Sequence, residues 1–149
     1  MARLLPLVVA LVHWPGPITR GNDPPDVKKE LAKLEGVRAI EAQMVAGKDV
    51  AKELPLPSMR ITIKGDTLIR GNGGFSVESK IAIDPSKHPK AIDLVTRLPG
   101  GGSETAVGIY ELSGESLKIC YDATGKQRPK EFKSAEGSTV VLSVLKRPK

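Results

Sequence analysis

The sequence predicts an all-β protein, a small antiparallel up-and-down β-barrel of about eight strands with a short N-terminal helix. Apolar residues recur at every second position in short segments through most of the chain, which is typical of strands with one buried face. Turns that contain glycine separate these segments at intervals of roughly 8 to 12 residues. An open sheet of this size would expose two edges and an apolar face, so these patterns favour closure into a barrel.

The length and composition indicate one soluble globular domain. The chain has 149 residues, of which 40% are apolar and 27% charged, so a disordered chain or a membrane bundle is not favoured. Aromatic residues make up only 3%, and the core must therefore be aliphatic. We assign residues 23–149 to a single barrel domain.

Residues 1–22 are predicted to be an export signal or a disordered leader. Arg3 precedes a nine-residue apolar run from Leu4 to Val12, which is too short for a membrane span of about 20 residues but suits a signal peptide. No pair of small residues forms a good cleavage site before Asn22. We expect an exported protein, periplasmic or extracellular, with a cytoplasmic location as the alternative.

One segment, "NDPPDVKKELAKLEG", is predicted to form the helix. Asn22 or Asp23 can cap its N-terminus, and Gly36 can end it. Three apolar residues recur at helical spacing, so one face of the helix should cover other residues: Val27, Leu31 and Leu34.

After Gly36 the chain reads as strands and turns. "VRAIEAQMV" and "AVGIYEL" are predicted strands, and five other segments show apolar alternation: Met59, Ile61 and Ile63; Ile81 and Ile83; Ile92 and Leu94; Leu117, Ile119 and Tyr121; Val140, Leu142 and Val144. The predicted turns between them are at 47–48, 64–66, 71–74, 99–102, 113–115 and 123–126.

The segment "DPSKHPKAIDLV", residues 84–95, contains one of the two histidines of the chain. Pro85 and Pro89 cannot donate a ladder hydrogen bond, so they favour a rigid corner between two strands. Lys87 and His88 are then expected at an exposed loop tip.

The segments "IDPSKHPKAIDL", "GIYELSGESLKICY" and "RPKEF" resemble a small domain family that occurs in many paralogous copies, largely in planctomycete bacteria. The resemblance covers roughly Asp26 to Arg147. It implies a lipocalin-like β-barrel that is often exported. It implies no activity, because the family has no established function.

The chain departs from the family pattern at the floor of the barrel. The resemblance implies Gly-x-Trp on the first strand, with a basic residue of the last strand lying over the indole. Here Gly36 is kept, Arg38 stands at the tryptophan position, and Arg147 is the basic residue. Two guanidinium groups cannot form a cation–π contact, so either a carboxylate such as Glu35 or Glu41 lies between them or the floor is rearranged.

The candidates for catalysis are few, and we predict no enzyme. Cys120 is the only cysteine, which excludes an intramolecular disulfide, and after the leader only His88 could activate its thiol. Alternation places Cys120 on the opposite face of its strand from Leu117 and Ile119, and partial exposure is expected there.

Asp84 and Asp93 are the nearest pair of carboxylates for acid–base chemistry. An Asx turn at Asp84 and an outward, surface position for Asp93 are the favoured interpretations. The stretches "GNGGFS" and "PGGGSET" lack the features of a phosphate-binding loop, and no ligand spacing predicts a metal, so we expect no cofactor.

Two non-enzymatic functions remain. A barrel of eight strands can hold one small apolar or amphipathic ligand if small interior residues such as Ala39, Ala82 and Gly108 leave room. The alternative is a module that binds a protein or envelope partner through basic loops. The net charge is +6, but acids alternate with the bases, so nucleic acid is not expected. A monomer is expected, and the candidate contact residues are Lys87, His88, Lys90, Lys126, Arg128 and Lys130.

Overall fold

The computed structural model describes residues 25–51, 53, 59–71 and 74–148. The predicted leader, residues 1–22, and both N-cap candidates lie outside these residues. Helix α1 (Pro25–Leu34) buries Leu31 and Leu34, as the helical spacing predicts. The chain leaves the helix at Gly36, whose φ of 131° is open to glycine and strained for other residues.

Nine antiparallel strands follow the helix within the described residues: β1 (Gly36–Val45), β2 (Lys48–Asp49), β3 (Arg60–Lys64), β4 (Thr67–Gly71), β5 (Ser76–Asp84), β6 (Lys90–Arg97), β7 (Ser103–Ser113), β8 (Ser116–Asp122) and β9 (Val140–Lys146). The two-residue strand β2 only extends a hairpin at the end of β1. The other eight pair in chain order, and β1 also pairs with β9. The predicted closed up-and-down barrel is confirmed.

Strand β1 closes the barrel by changing partners along its length. Residues 36–39 pair with β3, and residues 39–45 pair with β9, with a register shift between Ile40 and Ala42. Such an irregularity bends and twists a strand, which helps a sheet to curve onto itself.

For two strands, β4 and β9, the structure differs from the prediction made from apolar alternation. Strand β4 was not singled out by its apolar residues, although the predicted turns at 64–66 and 71–74 bound it. In β9 the inward residues are Ser143 and Leu145, whereas the sequence pattern placed Leu142 and Val144 on the buried face. A shift of one residue exchanges the two faces of a strand, and β9 is apolar on both.

The two ends of the barrel differ in how their interiors are filled. Each end is defined by the strands that finish there. The closed end is where β3, β5, β7 and β9 finish and where α1 lies near β5. Its interior is filled by large buried side chains: Leu34, Ile63, Ile83, Ile92, Tyr110, Leu117 and Leu145. The open end is where β4, β6 and β8 finish.

Residues 123–139, which we call the outer strap, connect β8 to β9 and cover part of the outer wall. Beneath and beside the strap the barrel wall carries a second group of buried residues that face outward: Ala91, Asp93, Val107, Ile109 and Cys120. No helix within the described ranges is long and apolar enough to cross a membrane.

Candidate functional site

The open end contains a cavity of about 220 Å³ inside the barrel. All eight barrel strands contribute side chains to it, and Ala123, the first residue after β8, completes the lining. The lining side chains are Gln43, Ile61, Leu68, Arg70, Ser79, Leu94, Thr96, Glu104, Ala106, Ile119, Tyr121, Ala123 and Ser143.

The small side chains that leave this space are not those expected from the sequence. Ala39 and Ala82 alternate with inward residues and so face outward, and neither lines the cavity. Gly108 is buried, but a Cβ there would approach the carbonyl oxygen of Cys120 to 2.5 Å. Gly108 therefore permits close packing of β7 on β8, and Ala106 is the small residue that borders the cavity.

Both polar and apolar side chains line the cavity. The hydroxyls of Ser79 and Thr96 lie 2.7 Å apart across β5 and β6 and share a hydrogen bond. The amide of Gln43 donates to the hydroxyl of Ser143 at 3.4 Å. These polar groups face a space whose apolar lining consists of Ile61, Leu68, Leu94, Ala106, Ile119 and Ala123.

Two charged residues line the same cavity, Arg70 on β4 and Glu104 on β7. Arg70 is partly buried, and Glu104 is exposed. Within the described part of the chain, neither side chain makes a hydrogen bond or an ion pair. Both charges are thus available to a molecule that enters the cavity.

At the closed end, Arg38 lies inside the barrel with none of its surface exposed. Its Nη1 donates to the carbonyl oxygen of Leu34, the last residue of α1. Within the described residues, its Nε and Nη2 have no hydrogen-bond partner. Burial, together with the nearby charge of Arg147, lowers the pKa of Arg38.

Arg147 lies against Gly36, where a Cβ would be 3.4 Å from its Nη1. Its Nη2 donates to the carbonyl oxygen of Glu35 at 3.1 Å. The Glu35 carboxylate instead accepts from the backbone N–H of Gly65, and Glu41 is exposed. The prediction that one of these carboxylates lies between the two arginines is therefore wrong. The floor is rearranged: both arginines bind carbonyls at the C-terminus of the helix, where partial negative charge favours cations.

A buried cluster fixes the helix to the closed end. The carboxylate of Glu30, which is only 6% exposed, accepts from Lys90 Nζ at 2.7 Å and from the Tyr110 hydroxyl at 3.1 Å. Burial opposes ionisation of Glu30, but the two hydrogen bonds and the charges of Lys90 and Lys33 together lower its pKa. Burial and the adjacent carboxylate raise the pKa of Tyr110. Lys90, expected at a contact surface, is engaged within the protein.

The predicted exposure of Cys120 is wrong. It does face away from the barrel interior, but the outer strap covers it completely, and its Sγ contacts the carbonyl oxygens of Glu131 and Lys133. Burial raises the pKa of this thiol, which disfavours the reactive thiolate. His88 lies on the exposed loop between β5 and β6. Within the described residues, no hydrogen bond joins it to Cys120.

The two aspartates have different environments. Asp84 forms the predicted Asx turn, accepting from the backbone and the hydroxyl of Ser86. Asp93 faces outward as predicted, yet it is 1% exposed rather than at the surface. Arg128 of the outer strap covers it with an ion pair at 2.7 Å and also donates to the carbonyl oxygens of Ile92 and Gly108. Arg128 is therefore an anchor of the strap.

Asp122 holds both ends of the outer strap. Its Oδ1 accepts from the hydroxyls of Thr124 and Thr139 at 2.8 and 2.7 Å, and its Oδ2 accepts from the backbone of Gln127 at 3.0 Å. Burial opposes its ionisation, but these hydrogen bonds dominate and lower the pKa of Asp122 to about 2.

Four of the candidate contact residues remain exposed: Lys87, His88, Lys126 and Lys130. Among the described residues, no three of His, Cys, Asp and Glu come close enough to hold a metal ion. The cavity residues Arg70, Ser79 and Glu104 were not predicted from the sequence. Their one signal was position, since Ser79 continues the inward alternation of Ile81 and Ile83.

No family model, curated protein sequence or solved structure matches this chain. The function is therefore inferred from the residues of the barrel itself.

Proposed function

We propose that the barrel binds a small amphipathic molecule in the cavity at its open end. The observation that carries this proposal is the volume of that cavity, about 220 Å³. An apolar cavity of about 150 Å³ is known to admit benzene. A ring-sized molecule with a small polar substituent therefore has room here, whereas a long-chain lipid does not.

The chemistry of the lining supports an amphipathic rather than a purely apolar ligand. Side chains such as Leu68, Leu94 and Ile119 offer apolar contact to a hydrocarbon portion. Ser79, Thr96 and Gln43 offer donors and acceptors to a polar portion. A mostly apolar concave site with a few convergent polar groups is the usual form of a small-molecule site.

Titration of the protein with benzyl alcohol, followed by NMR spectroscopy of the backbone amides, tests this function. We expect shifts confined to the open-end residues of the strands and a concentration-dependent rise in melting temperature, because a ligand bound only by the folded state stabilises it. Ala106→Phe should fill the cavity and abolish both effects. Ala135→Phe, at an exposed position of the outer strap, is the matched control and should preserve them.

Shifts that persist in Ala106→Phe, or that appear only on the outer wall, would overturn the proposal. So would the absence of any shift in the unmodified protein at millimolar benzyl alcohol, since ligands of this size bind small cavities weakly and are used at that concentration.

An interaction module that uses the basic loops is the second candidate. It is favoured by the side chains of Lys87, Lys126 and Lys130, which are exposed and form no ion pair within the described residues. It is weakened by Lys90 and Arg128, whose ion pairs with Glu30 and Asp93 are internal. Binding of an anionic partner through these loops would fall steeply with added salt, whereas binding in the cavity of a neutral ligand would not.

A further inference from the structure

We propose that the polar group of the cavity ligand is a carboxylate or a similar small planar anion, bound by Arg70. This inference rests on the ligand-binding function proposed above and specifies the class of its ligand.

The first support is the electrostatic difference between the two charged lining residues. Arg70 is partly buried beside the apolar lining, and Glu104 is exposed at the start of β7. Charge interactions are stronger where solvent is partly excluded and are screened at exposed positions. The field inside the cavity is therefore dominated by the guanidinium, which also presents a planar fork of donors that matches a carboxylate.

The second support is the state of the neighbouring polar groups. Arg70 pairs with Val77, so it is diagonal to Ser79, the next inward residue on β5. Ser79 and Thr96 have two hydroxyl protons between them, and their mutual hydrogen bond uses one. The second proton is free to be donated. An anion at Arg70 would thus meet a second donor on the adjacent strand.

The third support is the charge of the whole protein. The chain carries a net charge of +6, which raises the local concentration of small anions around the molecule and speeds their association. The same charge opposes entry of a cationic ligand into a cavity where the more buried charge is already positive.

Three planar, nearly isosteric probes separate charge from shape: benzoate, benzamide and benzamidine, which are anionic, neutral and cationic. Calorimetric titration of each into the full protein at low ionic strength measures the dissociation constants. We expect benzoate to bind about tenfold more tightly than benzamide, because a bidentate ion pair of the guanidinium with a carboxylate is stronger than its hydrogen bond to a neutral amide. Benzamidine should bind most weakly.

Two variants assign the preference to its residue. Arg70→Gln should remove the preference for benzoate over benzamide, because benzoate loses an ion pair whereas benzamide loses at most a weaker hydrogen bond. Glu104→Gln, the matched control at the other charged position, should leave the order of the three probes unchanged and tighten benzoate slightly.

The possible failures are distinguishable. Equal binding of all three probes, or tighter binding of benzamidine, would overturn the assignment to an anion while leaving the cavity function intact. A preference for benzoate that survives Arg70→Gln would overturn the role of Arg70. Absence of binding by every probe, together with the absence of benzyl alcohol binding, would overturn both proposals.

Discussion

Each half of the barrel holds one inward arginine, and the two are used differently. At the closed end Arg38 is completely buried and donates to a carbonyl of the helix, with Arg147 on the neighbouring carbonyl. At the open end Arg70 is partly buried, borders a cavity and has no partner among the described residues. The comparison shows that a guanidinium inside this barrel is structural where a helix end is present and available for binding where it is absent.

The inward side chains of the two halves also differ in how completely they fill the barrel. The closed end is filled by large aliphatic side chains and Tyr110, each at most 2% exposed. The open end has alanine, serine and threonine at several of its inward positions, such as Ser79, Thr96 and Ala106, and the cavity borders them. One half of the barrel therefore supplies most of the packing, and the other half is left free to hold a ligand.

Deleting a large side chain should reveal this difference most clearly. Leu145 is 0% exposed at the closed end, and we expect Leu145→Ala to lower the free energy of unfolding by about 3 kcal/mol, since it removes buried methyl groups and leaves a void. Leu94 borders the existing cavity, and Leu94→Ala should cost about 1 kcal/mol less, because fewer contacts are lost there. Denaturant unfolding of both variants measures the two values. A greater loss for Leu94→Ala would show that the open end is as tightly packed as the closed end.

Acid should weaken the attachment of the outer strap at the open end. The pKa of Asp122 is lowered from its ordinary value of 3.8 to about 2, so its ionised form is favoured by folding. The corresponding stability is present above about pH 4 and is lost as the pH falls toward 2. We expect Asp122→Asn to lower the free energy of unfolding by about 2 kcal/mol at pH 7 and to flatten its dependence on pH between 4 and 2.

Glu30 provides the control for this acid effect at the closed end. Its pKa is also lowered, so it contributes with the same sign, and Asp122→Asn should retain the part of the pH dependence that Glu30 causes. An unchanged pH profile in Asp122→Asn, measured by urea unfolding at each pH, would show that Asp122 is not the group that titrates.

Arg38 tests how well the rearranged floor satisfies its buried charge. The guanidinium keeps its proton, and two of its nitrogens lack partners among the described residues. Replacing an incompletely satisfied buried charge by an apolar side chain often stabilises a protein, so Arg38→Trp should raise the free energy of unfolding by about 1 kcal/mol, with the lost bond to Leu34 as the opposing effect.

Arg38→Met distinguishes charge from volume, because methionine does not add the bulk of an indole to the floor. Stabilisation by Met alone would mean that tryptophan is too large for this register. A fall in melting temperature for both variants would show that the helix carbonyl compensates the charge fully. Arg70→Gln, at the open end, should change stability by less than about 0.5 kcal/mol.

The sequence was sufficient to predict the helix, the barrel and most strand faces, because period-two alternation and glycine turns are local signals. It was insufficient wherever the answer depended on a distant segment. Cys120 and Asp93 face outward as predicted, but they are buried because residues 123–139 fold back over them. The face of β9 was misassigned because Ser143, a polar residue in an apolar strand, points into the cavity.

The cavity itself could not be predicted for a related reason. Its volume depends on which small and polar residues from separate strands meet at one level of the barrel. Ser79, Thr96 and Glu104 lie on three successive strands and become neighbours only through the registers of β5, β6 and β7. Arg70 reaches the same level through β4, a strand that alternation did not mark.

The smallest expected effect is at His88, in the loop between β5 and β6, and its contacts differ from those of Lys90, the first residue of β6. His88 is exposed, so His88→Ala should change the free energy of unfolding by less than about 0.5 kcal/mol. Lys90→Ala removes the 2.7 Å ion pair with the buried carboxylate of Glu30. A larger loss is expected because, among the described residues, that carboxylate then keeps only the Tyr110 hydroxyl and the more distant Lys33. Thermal unfolding of the two variants side by side measures the difference. A loss above about 1 kcal/mol for His88→Ala would contradict its exposed position, and an unchanged Lys90→Ala would remove Lys90 from the cluster that holds the helix to the closed end.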